Sequence, residues 1–305
     1  MRLLLLVNAS ASSVTPRSRV VIQKALAADH QVAMEETSRR GHAARLAQRA
    51  AAEGVDGVVV LGGDGTLNEA ANGLAGSHTA LGVLPGGSTN VFARTIGASV
   101  EPIEATGQLL AAMARGSRRR IGLGQVNGRY FLFHVGMGFD AAVVDQVERR
   151  SDLKRYAGHL LFVYATVATW FRHYDHRRPR LSVQADEDST GAPSYLAICL
   201  NTNPYTFLGS RRLNLAPDAT LDGELVLVNF RTLRFSTIAG VVVSALGSGR
   251  WARSHPGVDY NPGLRRLVVT ARGKPFPYQV DGDFVGDTEH LTLQYEPETL
   301  DVFLP

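Results

Sequence analysis

Two short runs carry residue types that could do chemistry: Gly62-Gly63-Asp64-Gly65-Thr66 and Pro85-Gly86-Gly87-Ser88-Thr89-Asn90. Each follows an apolar run and precedes helical spacing. Glycine lets the backbone approach a ligand closely. The helix that follows offers N–H groups with no intrahelical partner, at the positive end of its dipole. Such turns suit phosphate. Asp64 would repel phosphate unless a cation stands between them, so Mg²⁺ is the expected mediator. Neither run ends in the Lys-Ser/Thr of a Walker A loop, and neither has the spacing of a dinucleotide fingerprint. No lysine stands near, so charge neutralisation falls to Mg²⁺, backbone amides or arginine, with Arg17 and Arg19 of the first loop as candidates. A strand-to-helix turn without a ligand is the plain alternative. Two such turns at neighbouring strand ends weigh against it, because ligands of open α/β sheets gather at that edge.

The elements that must hold these turns alternate through the first third of the chain. Leu3 to Val7 and Val55 to Leu61 are continuous apolar runs, the pattern of strands buried on both faces. Ala80 to Leu84 is a third. Helical spacing covers Val20 to Ala28, Gly41 to Gly54 and Leu67 to Leu74, and His30 to Met34 reads as a short strand. Repeated strand–loop–helix units predict a parallel sheet with helices on both faces, over residues 1–120. Beyond Arg120 strand-like runs dominate: Gly124 to Val126, Tyr130 to Val135, Leu181 to Ala185, Tyr195 to Asn201, Glu224 to Val228, Leu267 to Ala271 and Leu291 to Tyr295. Asn127-Gly128, Asp222-Gly223 and Asp281-Gly282 supply turn signals between them. The expectation is a second, mostly antiparallel β domain over 121–298, interrupted by a helix from about Leu153 to His173. Residues 299–305 are expected to return to the first domain.

Composition is that of a globular chain: 305 residues, 45% hydrophobic and 20% charged, long enough for two cores. A single cysteine, Cys199, allows no internal disulfide and points to a reducing cytoplasm. The apolar start, Leu3 to Leu6, ends at Asn8 and is too short for a signal sequence. No run reaches the roughly 18 apolar residues of a membrane span; Leu160 to Phe171 comes nearest. Net charge is +4. The basic clusters Arg118-Arg119-Arg120, Arg149-Arg150 and Arg177-Arg178 read either as solvated surface or as attraction to phosphates or an anionic membrane. Nothing in the arginine spacing matches a nucleic-acid module, so nucleic acid is not an expected partner.

The run Gly62 to Glu69 with Asn72-Gly73-Leu74 resembles the signature of the diacylglycerol kinase catalytic domain. Four more segments resemble that family in order: Leu84 to Arg94, His134 to Ala141, Leu215 to Leu225 and Gln279 to Asp283. The resemblance spans nearly the whole chain. It implies an ATP- and Mg²⁺-dependent kinase acting on a lipid hydroxyl such as that of diacylglycerol, with an NAD kinase-like α/β domain and a β-rich lipid-binding domain. It implies that Gly62, Gly63, Asp64, Gly65, Thr66, Leu67 and Asn68 hold ATP phosphates, with Asp64 organising Mg²⁺. Gly87 and Ser88 of the second loop, and Thr37, would touch the nucleotide. Thr37 reads equally as a helix N-cap. Asp222 matches a Mg²⁺ ligand, completed by backbone oxygens of Ala219 and Glu224. Asp283 matches the general base that takes the acceptor proton. Asp281 competes for that role, or simply makes a hairpin turn. Two positions depart from the pattern: Val91 and Gly122 stand where many relatives carry aspartate.

The implied partners are a lipid substrate, a transient membrane-surface contact and a second copy of the chain in a homodimer. The implied setting is the cytoplasm, peripheral to the inner membrane face. Two other readings share these motifs: an NAD kinase-like enzyme with a soluble substrate, and a non-catalytic nucleotide- or lipid-binding relative.

Overall fold

The computed structural model describes residues 1–149, 178–185 and 191–305. The expected helix over Leu153 to His173, with its apolar stretch Leu160 to Phe171, lies outside the described residues, as do Arg150 and Arg177. Two compact units form, one of Met1–Leu123 with Glu296–Pro305 and one of Gly124–Tyr295.

In chain order the elements are β1 (Arg2–Val7), α1 (Pro16–Ala27), β2 (Gln31–Glu36), α2 (His42–Ala52), β3 (Gly57–Gly62), α3 (Asp64–Leu74), β4 (Ala80–Pro85), α4 (Val91–Thr95) and α5 (Pro102–Ala114). There follow β5 (Arg118–Val126), β6 (Arg129–Phe131), β7 (His134–Gly138), α6 (Phe139–Glu148), β8 (Leu181–Ala185), β9 (Ala192–Ser194), β10 (Leu196–Leu200), β11 (Thr206–Leu208) and β12 (Arg211–Leu213). The last are β13 (Leu225–Phe230), α7 (Phe235–Ala245), β14 (Val258–Leu264), β15 (Arg266–Ala271), β16 (Phe276–Val280), β17 (Asp283–Thr288) and β18 (His290–Phe303).

The first unit is a parallel sheet in the order β2-β1-β3-β4, with the end of β18 beside β4 at Val302↔Leu81. Its inner strands are buried along their whole length, which is why they read as unbroken apolar runs. Leu5, Leu61, Leu84, Ile22, Leu109 and Phe303 meet in one core. β18 is a single long strand where two separate segments were expected. Within it Glu298 has φ 47°. Asp301 near its end is buried and accepts from Arg118 and Arg120, each at 2.8 Å. Burial alone would raise that carboxyl, but the two guanidiniums outweigh it and hold it below 3.8.

The second unit carries a six-stranded antiparallel sheet, β14-β13-β10-β7-β16-β17. In the same unit β9, β8, β15 and the first half of β18 are antiparallel neighbours in that order. Strand β10 shows the logic. Ala197 and Cys199 point into the core shared by Leu267, Leu291 and Phe276, while Leu196, Ile198 and Leu200 point into a second core under α6 and α7. Both faces are covered, so its sequence does not alternate. The expected strand Tyr130 to Val135 is instead broken at Leu132 and Phe133, for a reason that lies in Asp281.

Candidate nucleotide and lipid sites

In the first unit β3 ends at Gly62, Gly63 is the N-cap of α3 with no side-chain cap, and Asp64 opens the helix. Residues 64–66, expected in the turn before the helix, instead open its first turn, and a negative residue there suits the helix dipole. The glycines serve first to bring the two turns together. Gly86 N–H donates to the Gly62 carbonyl at 2.8 Å. A Cβ on Gly86 would meet the Gly62 Cα at 2.8 Å, and one on Gly87 would meet the Gly63 Cα at 2.9 Å. Asp64 ties the turns electrostatically: its carboxylate accepts from the N–H of Val91 at 3.0 Å and of Phe92 at 3.2 Å, at the start of α4. Asn90, at φ 49°, locks the second turn by bonding both ways with Gly87, at 2.8 Å each. The Thr66 hydroxyl accepts from Asn8 at 2.9 Å.

Gly63, Asp64, Gly65 and Thr66 are partly exposed, as is Gly87, and Ser88 is exposed. They line the surface at the end of β3 and β4. Leu67 and Asn68 are placed differently. Both are buried, the Leu67 N–H closes the helix on Gly63, and Asn68 accepts from Asn72. Val91, where many relatives have aspartate, is buried and contributes only its amide to Asp64.

Thr37 follows β2, its N–H bonded to the Val7 carbonyl at 2.9 Å. The N-cap reading of Thr37 is corrected: Gly41 holds that position. The amides of Gly41 and Ala43 are taken instead by the Glu69 carboxylate, at 2.7 and 3.1 Å. Arg19 is paired with Glu36, and Arg17 is exposed on α1.

In the second unit the two late aspartates part company. Asp281 and Gly282 join β16 to β17 with φ of 50° and 82°, a two-residue hairpin turn. The Asp281 carboxylate turns inward and accepts from the N–H of Leu132, Phe133 and His134 at 2.7, 2.9 and 3.0 Å. Those amides are withdrawn from a ladder, which splits β6 from β7. Asp283 is about a third exposed and stands 3.6 Å from Arg129. Of the two, it has the carboxylate that a substrate can approach.

A cavity of about 120 Å³ lies under α6 and α7, walled by Val143, Leu196, Ile198, Phe230, Ile238 and Val241 among others. Among the described residues one carboxylate reaches it, Asp140. Tyr205 donates to Asp140 at 2.6 Å and Gln279 at 2.8 Å. Burial raises the Asp140 carboxyl, and the two hydrogen bonds oppose that rise. Burial, with the Asp140 charge, also raises Tyr205 well above 10. His134 stacks on Tyr205 at 4.3 Å between ring centres, and neither ring nitrogen has a hydrogen-bond partner; burial lowers it to about 3, so it is neutral. A Cβ on Gly136 would sit 1.7 Å from the Asp140 carboxylate, so that glycine makes the space. Sequence alone gives Asp140, Tyr205 and Gln279 no part in a site. The available signal was an aspartate in the first turn of α6, four residues after Gly136.

The loop of Ala219, Asp222 and Glu224 turns tightly, with Gly223 N–H on Thr220 O at 3.1 Å. The Ala219 carbonyl accepts from Asn203, one of its two lone pairs; Asp222 is exposed; and the Glu224 carboxylate faces Arg265 at 2.5 Å. Only backbone oxygens of Ala219 and Glu224 therefore suit a cation, with Asp222. Among the described residues no three His, Cys, Asp or Glu cluster as metal ligands. Mg²⁺ at either place would take most of its ligands from water or phosphate, as Mg²⁺ commonly does.

The model of the diacylglycerol kinase catalytic domain matches residues 2–126. The diacylglycerol kinase of Bacillus subtilis (strain 168) is 38% identical over 146 residues, 47% of this chain and 46% of that protein. The match thus spans about half of that relative's length. A Staphylococcus aureus (strain bovine RF122 / ET3-1) protein named "Putative lipid kinase" is 30% identical over 221 residues, 72% of this chain and 68% of its own. The crystal structure titled as a "putative diacylglycerol kinase" from Bacillus anthracis superposes with a TM-score of 0.78 at 20% identity, covering 100% of this chain and 95% of that one. Yeast NADH kinase in complex with NADH superposes at 0.54 and 10% identity, over 100% and 83%. The fold is thus one shared by solved diacylglycerol kinases and a nicotinamide-nucleotide kinase, a parallel α/β unit followed by an antiparallel one. Within that class, the chain belongs to the diacylglycerol kinase family.

Proposed function

We propose that this chain transfers the γ-phosphoryl group of ATP to a lipid hydroxyl, with diacylglycerol or a close relative as acceptor. The observation that carries the reading is the pair of glycine turns packed back to back, beside an α3 N-terminus that no side chain caps. Phosphate oxygens would accept from amides at the α3 N-terminus, Gly63 to Thr66, with Gly87, Ser88 and Thr37 bordering the nucleotide. Mg²⁺, when bound, would neutralise phosphate charge and draw on the Asp64 carboxylate. Asp283 would accept the acceptor's hydroxyl proton as the oxygen attacks. The bond to the γ-phosphorus forms as the bond to ADP breaks. Asp222, with the Ala219 and Glu224 carbonyls, would hold a second Mg²⁺ that steadies its loop. The apolar cavity offers room for part of an acyl chain, and Asp140 with Tyr205 offers a polar contact within it. The proposed setting is the cytoplasmic face of the inner membrane. Among the described residues no helix is long and apolar enough to cross a membrane, which says nothing of β-barrels.

The test is transfer of labelled γ-phosphate from Mg-ATP to a micellar panel of diacylglycerols, monoacylglycerols, sphingoid bases and ceramide. A labelled lipid supports the reading and names the acceptor. Labelled NADP from NAD, with no lipid product, would replace it by the soluble-substrate reading. ATP binding with no product from either would leave a non-catalytic relative.

A further inference from the structure

Helix α7 has apolar residues on both of its sides. Thr237, Val241 and Ala245, at four-residue spacing, are buried against the second unit's core. On the outer side Phe235, Val242, Val243 and Leu246 share a stripe, with Phe235 77% and Val243 71% exposed. Trp251 extends that stripe. It lies flat enough on Gly240 that a Cβ there would meet its ring at 2.5 Å, yet the ring remains 43% exposed. An outward apolar stripe with an edge-exposed tryptophan is the anatomy of a surface that meets something apolar.

The surroundings say what it meets. From residue 231 to 258 the sequence contains no Asp or Glu. Arg234 caps the start of α7, and Arg250 opens the 3₁₀ turn packed against it. Both are exposed and have no side-chain partner among the described residues. β12, which also packs on α7, adds exposed Arg211 and Arg212. Arg231 and Arg253 are engaged, with Asp259 at 3.2 Å and Asp218 at 2.6 Å. An apolar stripe rimmed by unpaired arginines complements an anionic bilayer surface, whose headgroups sit level with the rim while the apolar side chains enter the acyl boundary. A second copy of the chain fits poorly. A two-fold contact through this stripe sets the same patch against itself and brings arginine against arginine.

We infer that the outer face of α7, with Phe235, Val243 and Trp251 as apolar contacts and Arg234 and Arg250 as charges, is the surface by which this protein docks on anionic membranes. The inference deepens the lipid-kinase reading and rests on it for the purpose of docking. Val242 belongs both to the exposed stripe and to the wall of the apolar cavity, so a docked α7 sets that cavity beside the lipid. Of the basic clusters Arg118-Arg119-Arg120 and Arg149-Arg150, read from sequence either as solvated surface or as attraction to phosphates or membranes, Arg118 and Arg120 hold Asp301, and Arg149 holds Asp145 at 2.9 Å.

The test is flotation of the full chain with phosphatidylcholine vesicles, with and without phosphatidylglycerol, over a salt series. The wild type is expected to float with the anionic vesicles, less so as salt rises. F235S/V243S should weaken binding about tenfold, and Arg234→Glu or Arg250→Glu about fivefold or more each. Thermal unfolding and turnover of a dispersed short-chain diacylglycerol should stay at wild-type level. Unchanged vesicle binding in all three variants overturns the proposal. So does a wild-type dimer that F235S/V243S splits into monomers without altering vesicle binding, which would make the stripe a self-interface. Variant-sensitive binding without turnover of any lipid would support the docking face while removing the kinase reading.

Discussion

At the scale of single residues, the acidic side chains of the motifs differ mainly in what they already hold. Asp64 holds two amides of α4 and is partly exposed, so it is expected to serve both the fold and the nucleotide. Asp64→Ala should abolish turnover, weaken Mg-ATP binding in calorimetry and cost about 1–3 kcal/mol of stability through the orphaned amides. Asp283→Asn should lower turnover by about 10²–10⁴-fold while ATP affinity stays nearly constant, since a base acts in the transition state. Equal loss of ATP affinity in both variants would defeat that division of roles. Asp281 holds three buried amides, so Asp281→Ala should destabilise by about 3–5 kcal/mol in denaturant unfolding, whatever the acceptor. An unfolding midpoint at the wild-type value would contradict the geometry.

At the scale of elements, close backbone approach decides which glycines matter. A Cβ on Gly73 would lie 2.2 Å from the Ala44 carbonyl, where α3 crosses α2. Gly73→Ala must push the helices apart, at about 1–3 kcal/mol. Glu69 caps α2 from α3, so the shift is also expected to loosen the loop that carries Thr37 and to weaken ATP binding. Gly107, with open space around its Cβ position on α5, is the control: Gly107→Ala should keep or raise the melting temperature. A helix-crossing glycine and a mid-helix glycine look alike in sequence. The first is legible only once α2 and α3 are seen to touch.

At the scale of the whole molecule, two carboxyls give the units opposite responses to acid. Asp301 in the first unit is held below 3.8, so its contribution is present above that value and lost as pH falls through the folded pKa. Asp140 in the second unit is raised above 3.8 by burial. Its charged form opposes folding at neutral pH, and that opposition is relieved as pH falls through the folded pKa. Hydrogen exchange followed from neutral pH downward should show protection around β18 and β4 declining last and steeply, near the bottom of the range. Protection around α6 and β16 should hold or gain before then. Asp301→Asn should remove the steep acid loss in the first unit, and Asp140→Asn the gain in the second.

The sequence by itself determined the class of the fold, because burial on both faces forces unbroken apolar runs in the parallel strands and turn residues punctuate the antiparallel ones. It also placed the glycine turns at strand ends. It could not assign the carboxylates. The bonds of Asp64, Glu69 and Asp281 go to backbone amides on other elements, and Tyr205 reaches Asp140 across 65 positions. Tyr130 to Val135 read as one strand because nothing local reveals that Asp281 takes its amides. The basic triplet at Arg118 read as solvated surface or as a phosphate- or membrane-attracting patch because Asp301, which Arg118 and Arg120 hold, lies at the far end of the chain. In each case the deciding partner is a group that only the folded backbone brings within hydrogen-bond range, and periodicity, being local, carries no record of it.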